Sequence, residues 1–219
     1  GSNGKTYSNL SFPMRIPNQE VIVGLEQRGL KMKDGTSYKG MAKDSNASEG
    51  MWMASPRNTK LSDTKLVFVF ESAYDAMAFF QMLTSKDSQL DNKEKEQLKS
   101  AVYVSTGGNP SYGQMDGLIK NAPNATFHLG FDNDMAGRQF EKNFRDIASK
   151  VESRDIKIIR EEPSEGYKDF NDELLGKDQH SLVDLIETAF DDESGIDLTV
   201  EELDEVEENE KEKHHGFRR

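Results

Sequence analysis

Lys65-Leu66-Val67-Phe68-Val69-Phe70-Glu71 sets five consecutive apolar residues between a cation and a carboxylate. A run of this length without polar alternation predicts a strand covered on both faces. Residues 75–83 follow with Ala76, Phe79, Phe80 and Leu83 at helical spacing. The same rhythm continues downstream. Ala101-Val102-Tyr103-Val104 reads as a second strand, closed by Ser105-Thr106-Gly107-Gly108-Asn109-Pro110, and residues 115–120 as a short helix. Residues 126–131 read as a third strand. Residues 136–151 then carry one apolar stripe, Phe140, Phe144, Ile147 and Val151, with Asp134 or its neighbour placed to cap that helix. Ile156-Lys157-Ile158-Ile159 is a fourth strand, and residues 182–190 a closing helix with Leu182, Leu185, Ile186 and Ala189 inward. Strand and helix in alternation predict an α/β fold with a parallel sheet and helices on both faces, because right-handed crossovers need that cover.

Outside this core the pattern changes. Residues 86–100 are dominated by charge and amide groups and read as a solvated, partly helical insertion. In the first 60 residues, short runs such as Val21-Ile22-Val23 are separated by Pro13, Pro17, Gly24, Gly29, Gly35 and Gly40. That spacing predicts a small β-rich subdomain over residues 1–63, with Trp52 and Met53 in a strand entering the core. Residues 64–190 form the main domain. Residues 191–219 are an acidic, flexible tail whose plainest role is to solubilise, partner docking and nucleic-acid mimicry being the alternatives. The chain opens Gly1-Ser2 rather than with methionine, so a further N-terminal portion is expected upstream.

Composition excludes several chemistries. A chain of 219 residues is long enough for a real core, and the absence of cysteine removes disulfides, thiolate nucleophiles and cysteine-held zinc. No membrane-length apolar run or secretory leader is visible, so a cytoplasmic protein without membrane association is expected. The net charge is −12, but it is unevenly divided. Residues 1–60 hold nine Lys/Arg against five Asp/Glu, whereas residues 191–219 hold four against twelve. A surface for backbone phosphates is therefore sought at the N-terminal end.

Open parallel sheets gather functional groups beyond the carboxyl ends of their strands. Glu71 lies at the first such exit, Asp132-Asn133-Asp134 at the third, and Lys168-Asp169-Phe170-Asn171-Asp172 after the fourth. Carboxylates crowded there repel one another unless a cation neutralises them. Mg²⁺, with Mn²⁺ as substitute, is the natural occupant, since it takes one or two carboxylates together with water and phosphate oxygens. Such an ion polarises a phosphoryl group. Gly137 lets the backbone turn beneath the aspartates, and Gly107 and Gly108 are expected to let a phosphate approach main-chain N–H groups. A lone Asp-x-Asp also serves as a helix cap, and that role stays open. An EF-hand loop is excluded by Ala136 and Asn143, and an aspartyl-phosphate phosphatase motif by Ala136. Gly4-Lys5-Thr6 lacks the upstream glycine of a phosphate-binding loop. His128 reads as a packed residue, and His214 and His215 as part of the tail.

Taken together, Glu71-Ser72-Ala73-Tyr74-Asp75, Ser105-Thr106-Gly107-Gly108 and Phe131-Asp132-Asn133-Asp134-Met135-Ala136-Gly137 resemble the TOPRIM domain of bacterial primases, topoisomerases and certain nucleases. The resemblance spans residues 64–190 and implies a Rossmann-like sheet. It implies that Glu71 acts as general acid/base or metal ligand, that Asp132 and Asp134 bind Mg²⁺, and that Asp169 is the further acidic group of primases. Ser72 replaces the family's usual glycine, and Asn171 stands where many primases have a second aspartate. Phe12-Pro13-Met14-Arg15, Val23-Gly24-Leu25-Glu26-Gln27-Arg28 and Tyr38-Lys39-Gly40 resemble the segment preceding TOPRIM in bacterial primase cores. Arg28 and Lys39 are by that likeness candidates for phosphate contacts, ordinary surface cations being the alternative, and Lys168 is a further candidate to position phosphates. The shortened arrangement resembles primase-like or mobilisation proteins of conjugative elements, which often carry an upstream zinc-binding module. The implied activity is Mg²⁺-dependent nucleotidyl transfer, with single-stranded DNA and nucleoside triphosphates as partners beside replication or mobilisation proteins. A nuclease or strand-breaking enzyme, and a DNA-binding module without catalysis, are the rival readings.

Overall fold

A computed structural model describes residues 9–29, 37–151 and 155–177. Its elements run β1 (Asn9–Arg15), β2 (Ile22–Gly29), β3 (Lys39–Met41), β4 (Met51–Ala54), β5 (Leu66–Phe70), α1 (Ala73–Thr84) and α2 (Asn92–Lys99). β6 (Val102–Ser105), α3 (Tyr112–Asn121), β7 (Thr126–Leu129), α4 (Met135–Ala148), β8 (Ile158–Arg160) and α5 (Phe170–Leu175) follow. One eight-stranded sheet orders them β3-β2-β1-β4-β6-β5-β7-β8. β6, β5, β7 and β8 are parallel, with Val67 opposite Val102 and Phe127.

The apolar run of β5 lies in the middle of this parallel half, and its period of two sends alternate residues to opposite faces. Val67 and Val69 pack with Val104, Leu118, Phe127 and Phe144 beneath α3 and α4. Phe68 and Phe70 pack with Ala76, Phe79, Tyr103 and Phe170 beneath α1 and α5. The α/β sheet with helices on both faces is therefore what forms. Each fully buried side chain of this size contributes about 1.5–3 kcal/mol by leaving water. Phe70 is wholly buried and meets Phe79 and Phe170 with ring centroids 5.4 and 5.7 Å apart.

The N-terminal strands do not build a sheet of their own. β4 pairs antiparallel with β6, Trp52 opposite Ser105, and β1 and β2 continue outward from it, so the parallel sheet becomes a mixed one. Met14 and Met51, both fully buried, close the seam. The polar stretch 86–100 holds α2, started by a capping box between Asp91 and Glu94 and anchored by buried Leu98. α5 has no counterpart in the sequence reading. The expected helix over residues 182–190 and the acidic tail lie outside the described residues. Among the described residues no helix is long and apolar enough to cross a membrane.

Candidate active site

The strand exits deliver their polar groups to one cavity of about 240 Å³. Glu71, Asp75, Asp132 and Asp169 supply its acidic lining, and Arg28, Lys39 and Lys168 its cations. Glu71 follows β5 directly, and its Oε1 accepts the Asp132 N–H at 3.2 Å, so the first and third exits touch. Asp134 lies at the rim, where its Oδ1 caps α4 by accepting the Gly137 N–H at 2.9 Å. Its cap role is therefore real. Its other oxygen, Oδ2, lies 3.5 Å from Lys168 Nζ, which also lies 3.3 Å from Asp132 Oδ2. Asp169 caps α5 through a 2.7 Å bond from the Asp172 N–H.

Local sequence explains this placement. The Asp132 carbonyl passes so close to Gly137 that an added Cβ would sit 2.0 Å from its oxygen, which leaves glycine as the fit for that helical position. Arg160 Nη2 donates to the same carbonyl at 3.1 Å, and the Asn133 N–H donates to the Lys168 carbonyl at 2.7 Å. The Asp-Asn-Asp turn is thus pinned from β8 and from the segment before α5.

Burial and crowding move the acids away from ordinary carboxylate behaviour. Glu71 is pushed up to about 7, by burial first and the Asp132 charge second. Asp75 is also pushed up to about 7, by burial and then by Asp169. Burial raises Asp132 as well, against the opposing pull of Lys168. Asp134 is lowered by its Gly137 bond. The two aspartates raise Lys168 despite its partial burial.

Gly107 and Gly108 depart from their expected role. The Gly107 N–H donates to Ser105 Oγ at 3.1 Å and the Gly108 N–H to the Glu71 carbonyl at 2.8 Å, so both amides are engaged within the chain. Gly107 is there for packing: its φ is +72°, and a Cβ would lie 2.6 Å from Met41 Cε. Gly108 lines the cavity with its backbone. Asp75 was not among the residues expected at the site; its only sequence signal is its place three after Ser72, whose Oγ caps α1 and hydrogen-bonds the Asp75 carboxylate. Its other oxygen accepts the Asn171 N–H at 3.2 Å, tying α1 to α5. His128 is a packed residue, its Nδ1 at 2.6 Å from Glu161 Oε1 and its ring against Phe68.

Residues 68–174 match a family model described as Toprim-like. The chain carries a Toprim-like domain over these residues. No curated protein matches its sequence. The primase fragment of the bacteriophage T7 primase-helicase protein aligns with a TM-score of 0.50 at 14% identity, over 83% of this chain and 64% of that one. A DNA primase domain from Pseudomonas aeruginosa aligns with a TM-score of 0.49 at 15% identity, over 81% of this chain and 50% of that one. The chain therefore spans under two thirds of the phage fragment, and that likeness is one of fold.

Among the described residues of the Toprim domain, no three carboxylate or imidazole groups converge closely enough to cage an ion unaided. Lys168 supplies the positive charge between Asp132 and Asp134 instead. The donors are nonetheless hard oxygens with raised proton affinity at Glu71 and Asp132, and Mg²⁺ needs only one or two of them when water and phosphate complete its shell. The residues fit such an ion.

Proposed function

We propose that this primase-like Toprim domain performs Mg²⁺-dependent nucleotidyl transfer on a single-stranded DNA template, in the replication or transfer of a mobile element. The observation that carries this reading is the facing of acids and cations across one cavity at the strand exits. Glu71, Asp132 and Asp134 would hold the divalent ion, with Asp169 behind them. When bound, the ion supplies positive charge to the phosphoryl oxygens. Arg28, Lys39 and Lys168 orient phosphates of nucleotide and template, a geometric contribution worth several orders of magnitude in rate when alignment is tight. Glu71, whose affinity for a proton is raised to the neutral range, is suited to accept one from an attacking hydroxyl.

The test is to incubate labelled DNA and Mg²⁺ with and without nucleoside triphosphates, using the chain and its Asp132→Asn/Asp134→Asn variant. Primer synthesis by the chain and none by the folded variant is the expected result. Synthesis retained by the variant overturns the assignment, and cleavage without nucleotides identifies a nuclease. Lys168 bridging the two aspartates favours a second reading, a DNA-binding module without catalysis. That reading predicts DNA retention falling steeply with salt and no metal-dependent turnover.

A further inference from the structure

Glu26 of β2 has no role so far, yet it is 1% exposed and lies among the most deeply buried side chains of the protein. A carboxylate is expensive to bury unless its oxygens are satisfied, and here three donors satisfy them. Oε1 accepts Arg28 Nη2 at 3.0 Å and the Ala73 N–H at 3.2 Å, and Oε2 accepts Ser105 Oγ at 2.7 Å. Arg28 is a neighbour on the same strand, whereas Ala73 and Ser105 are brought in from 47 and 79 positions away. Ala73 opens α1, two residues beyond Glu71, and its N–H is one of the four that a helix start leaves without an internal partner. Ser105 ends β6 and in turn receives the Gly107 N–H. Arg28 lies two residues along β2 from Glu26, hence on the same face, and lines the acidic cavity.

We propose that Glu26 is a positioning residue: it fixes the Arg28 guanidinium against the strand exits so that this cation meets a phosphate entering the cavity. The proposal rests on the reading of Arg28 as a phosphate contact. Three features make Glu26 the fixed point. It is buried while Arg28 reaches the cavity, it is bonded to both the Glu71 side and the Ser105 side of the site, and it joins the basic first 60 residues to the acidic rim. A long, flexible cation held by one charge-assisted bond loses less freedom on binding an anion, which is how preorganisation raises affinity. The opposite effect is also physically available. A carboxylate beside an arginine neutralises it, and if that were its whole effect, removing the charge would tighten anion binding.

Binding of a 5′-labelled oligothymidylate by the full chain separates the two. Glu26→Gln keeps size and shape, and the Ser105 hydroxyl can rotate to accept the new amide. Arg28→Gln and Glu26→Gln are each expected to weaken binding by about five- to tenfold, the size of one net hydrogen bond. The double variant should bind no more weakly than Arg28→Gln alone, since Glu26 acts through Arg28. Unchanged or tighter binding by Glu26→Gln, or additive losses in the double variant, overturns the positioning role. Unchanged binding by Arg28→Gln overturns the phosphate contact beneath it, a failure distinct from the other. If thermal melting shows that Glu26→Gln does not fold, Ser105→Ala deletes one contact and leaves the charge. It should weaken binding by about two- to threefold, and wild-type affinity in that variant overturns the proposal.

Discussion

Phe70 and Glu71 are neighbours in sequence and opposites in energetics. Phe70 ends β5 inside the aromatic cluster of Phe79 and Phe170, wholly removed from water. Glu71 turns into a cavity where the Asp132 and Asp134 charges and its own burial all disfavour its ionised form. The middle of the sheet stabilises the fold, and its rim opposes it. We read stored repulsion of this kind as support for the proposed cation site, since acids with raised proton affinity gather where charge is handled.

The largest effect expected on stability falls on the apolar side of that boundary. Phe70→Ala should lower unfolding stability by about 3–5 kcal/mol, read from a urea melt, because the surrounding rings cannot collapse into the space. A loss below about 1 kcal/mol would show that the interior is looser than its packing indicates.

Changes on the other side of the boundary should stabilise the metal-free protein. The folded chain holds the Glu71 proton up to about pH 7, whereas a free glutamate releases it near 4.5. The contribution is therefore intact below about 4.5 and is lost as pH rises through about 7. Glu71→Gln should remove that pH dependence and raise stability at pH 8 by on the order of 1 kcal/mol, after allowing for solvent screening of a partly exposed group. Equal slopes of melting temperature against pH for both proteins would show that the rim is not strained at this residue. Asp75 titrates in the same range, so part of the slope should persist in the variant.

Lys168 sharpens the comparison, since it already offsets part of the repulsion. Lys168→Met should lower metal-free stability by about 0.5–1 kcal/mol and enlarge the rise in melting temperature produced by Mg²⁺, as the ion then has no competitor. A smaller Mg²⁺ response in the variant would mean that the lysine helps to seat the ion. Asp134 separates its two roles at the smallest scale. Asp134→Ala should cost about 0.5–2 kcal/mol through loss of the α4 cap, whereas Asp134→Asn retains the cap and costs less. Both should lose Mg²⁺ stabilisation, and a full Mg²⁺ response in Asp134→Asn would restrict the residue to capping.

Much of the rim was legible from one-dimensional pattern. Leu66 to Phe70 announces a doubly covered strand because five apolar residues without alternation have no water-facing side, and a carboxylate after such a strand has only the sheet edge to occupy. The order of Glu71, Asp132, Asp134 and Asp169 along the chain carried the family likeness for the same reason. Less visible was the course of the first 60 residues. Their turns predicted strands but not partners, and the pairing of β4 with β6, beside fully buried Met14 and Met51, joins segments far apart in the chain. Gly107 and Gly108 misled because glycine in a turn looks alike whether its N–H faces solvent or the protein.

Periodicity and residue type alone determined the alternating strands and helices, the two apolar faces of β5 and the convergence of acids on one edge, since each follows from local geometry repeated along the chain. Only the tertiary structure decided that Lys168 lies between two aspartates, that Asp75 joins the acidic lining, and that Glu26 is buried against Ala73 and Ser105. Those are meetings of residues separated by tens of positions, and the free energy of such a meeting depends on what surrounds it, which no single segment encodes.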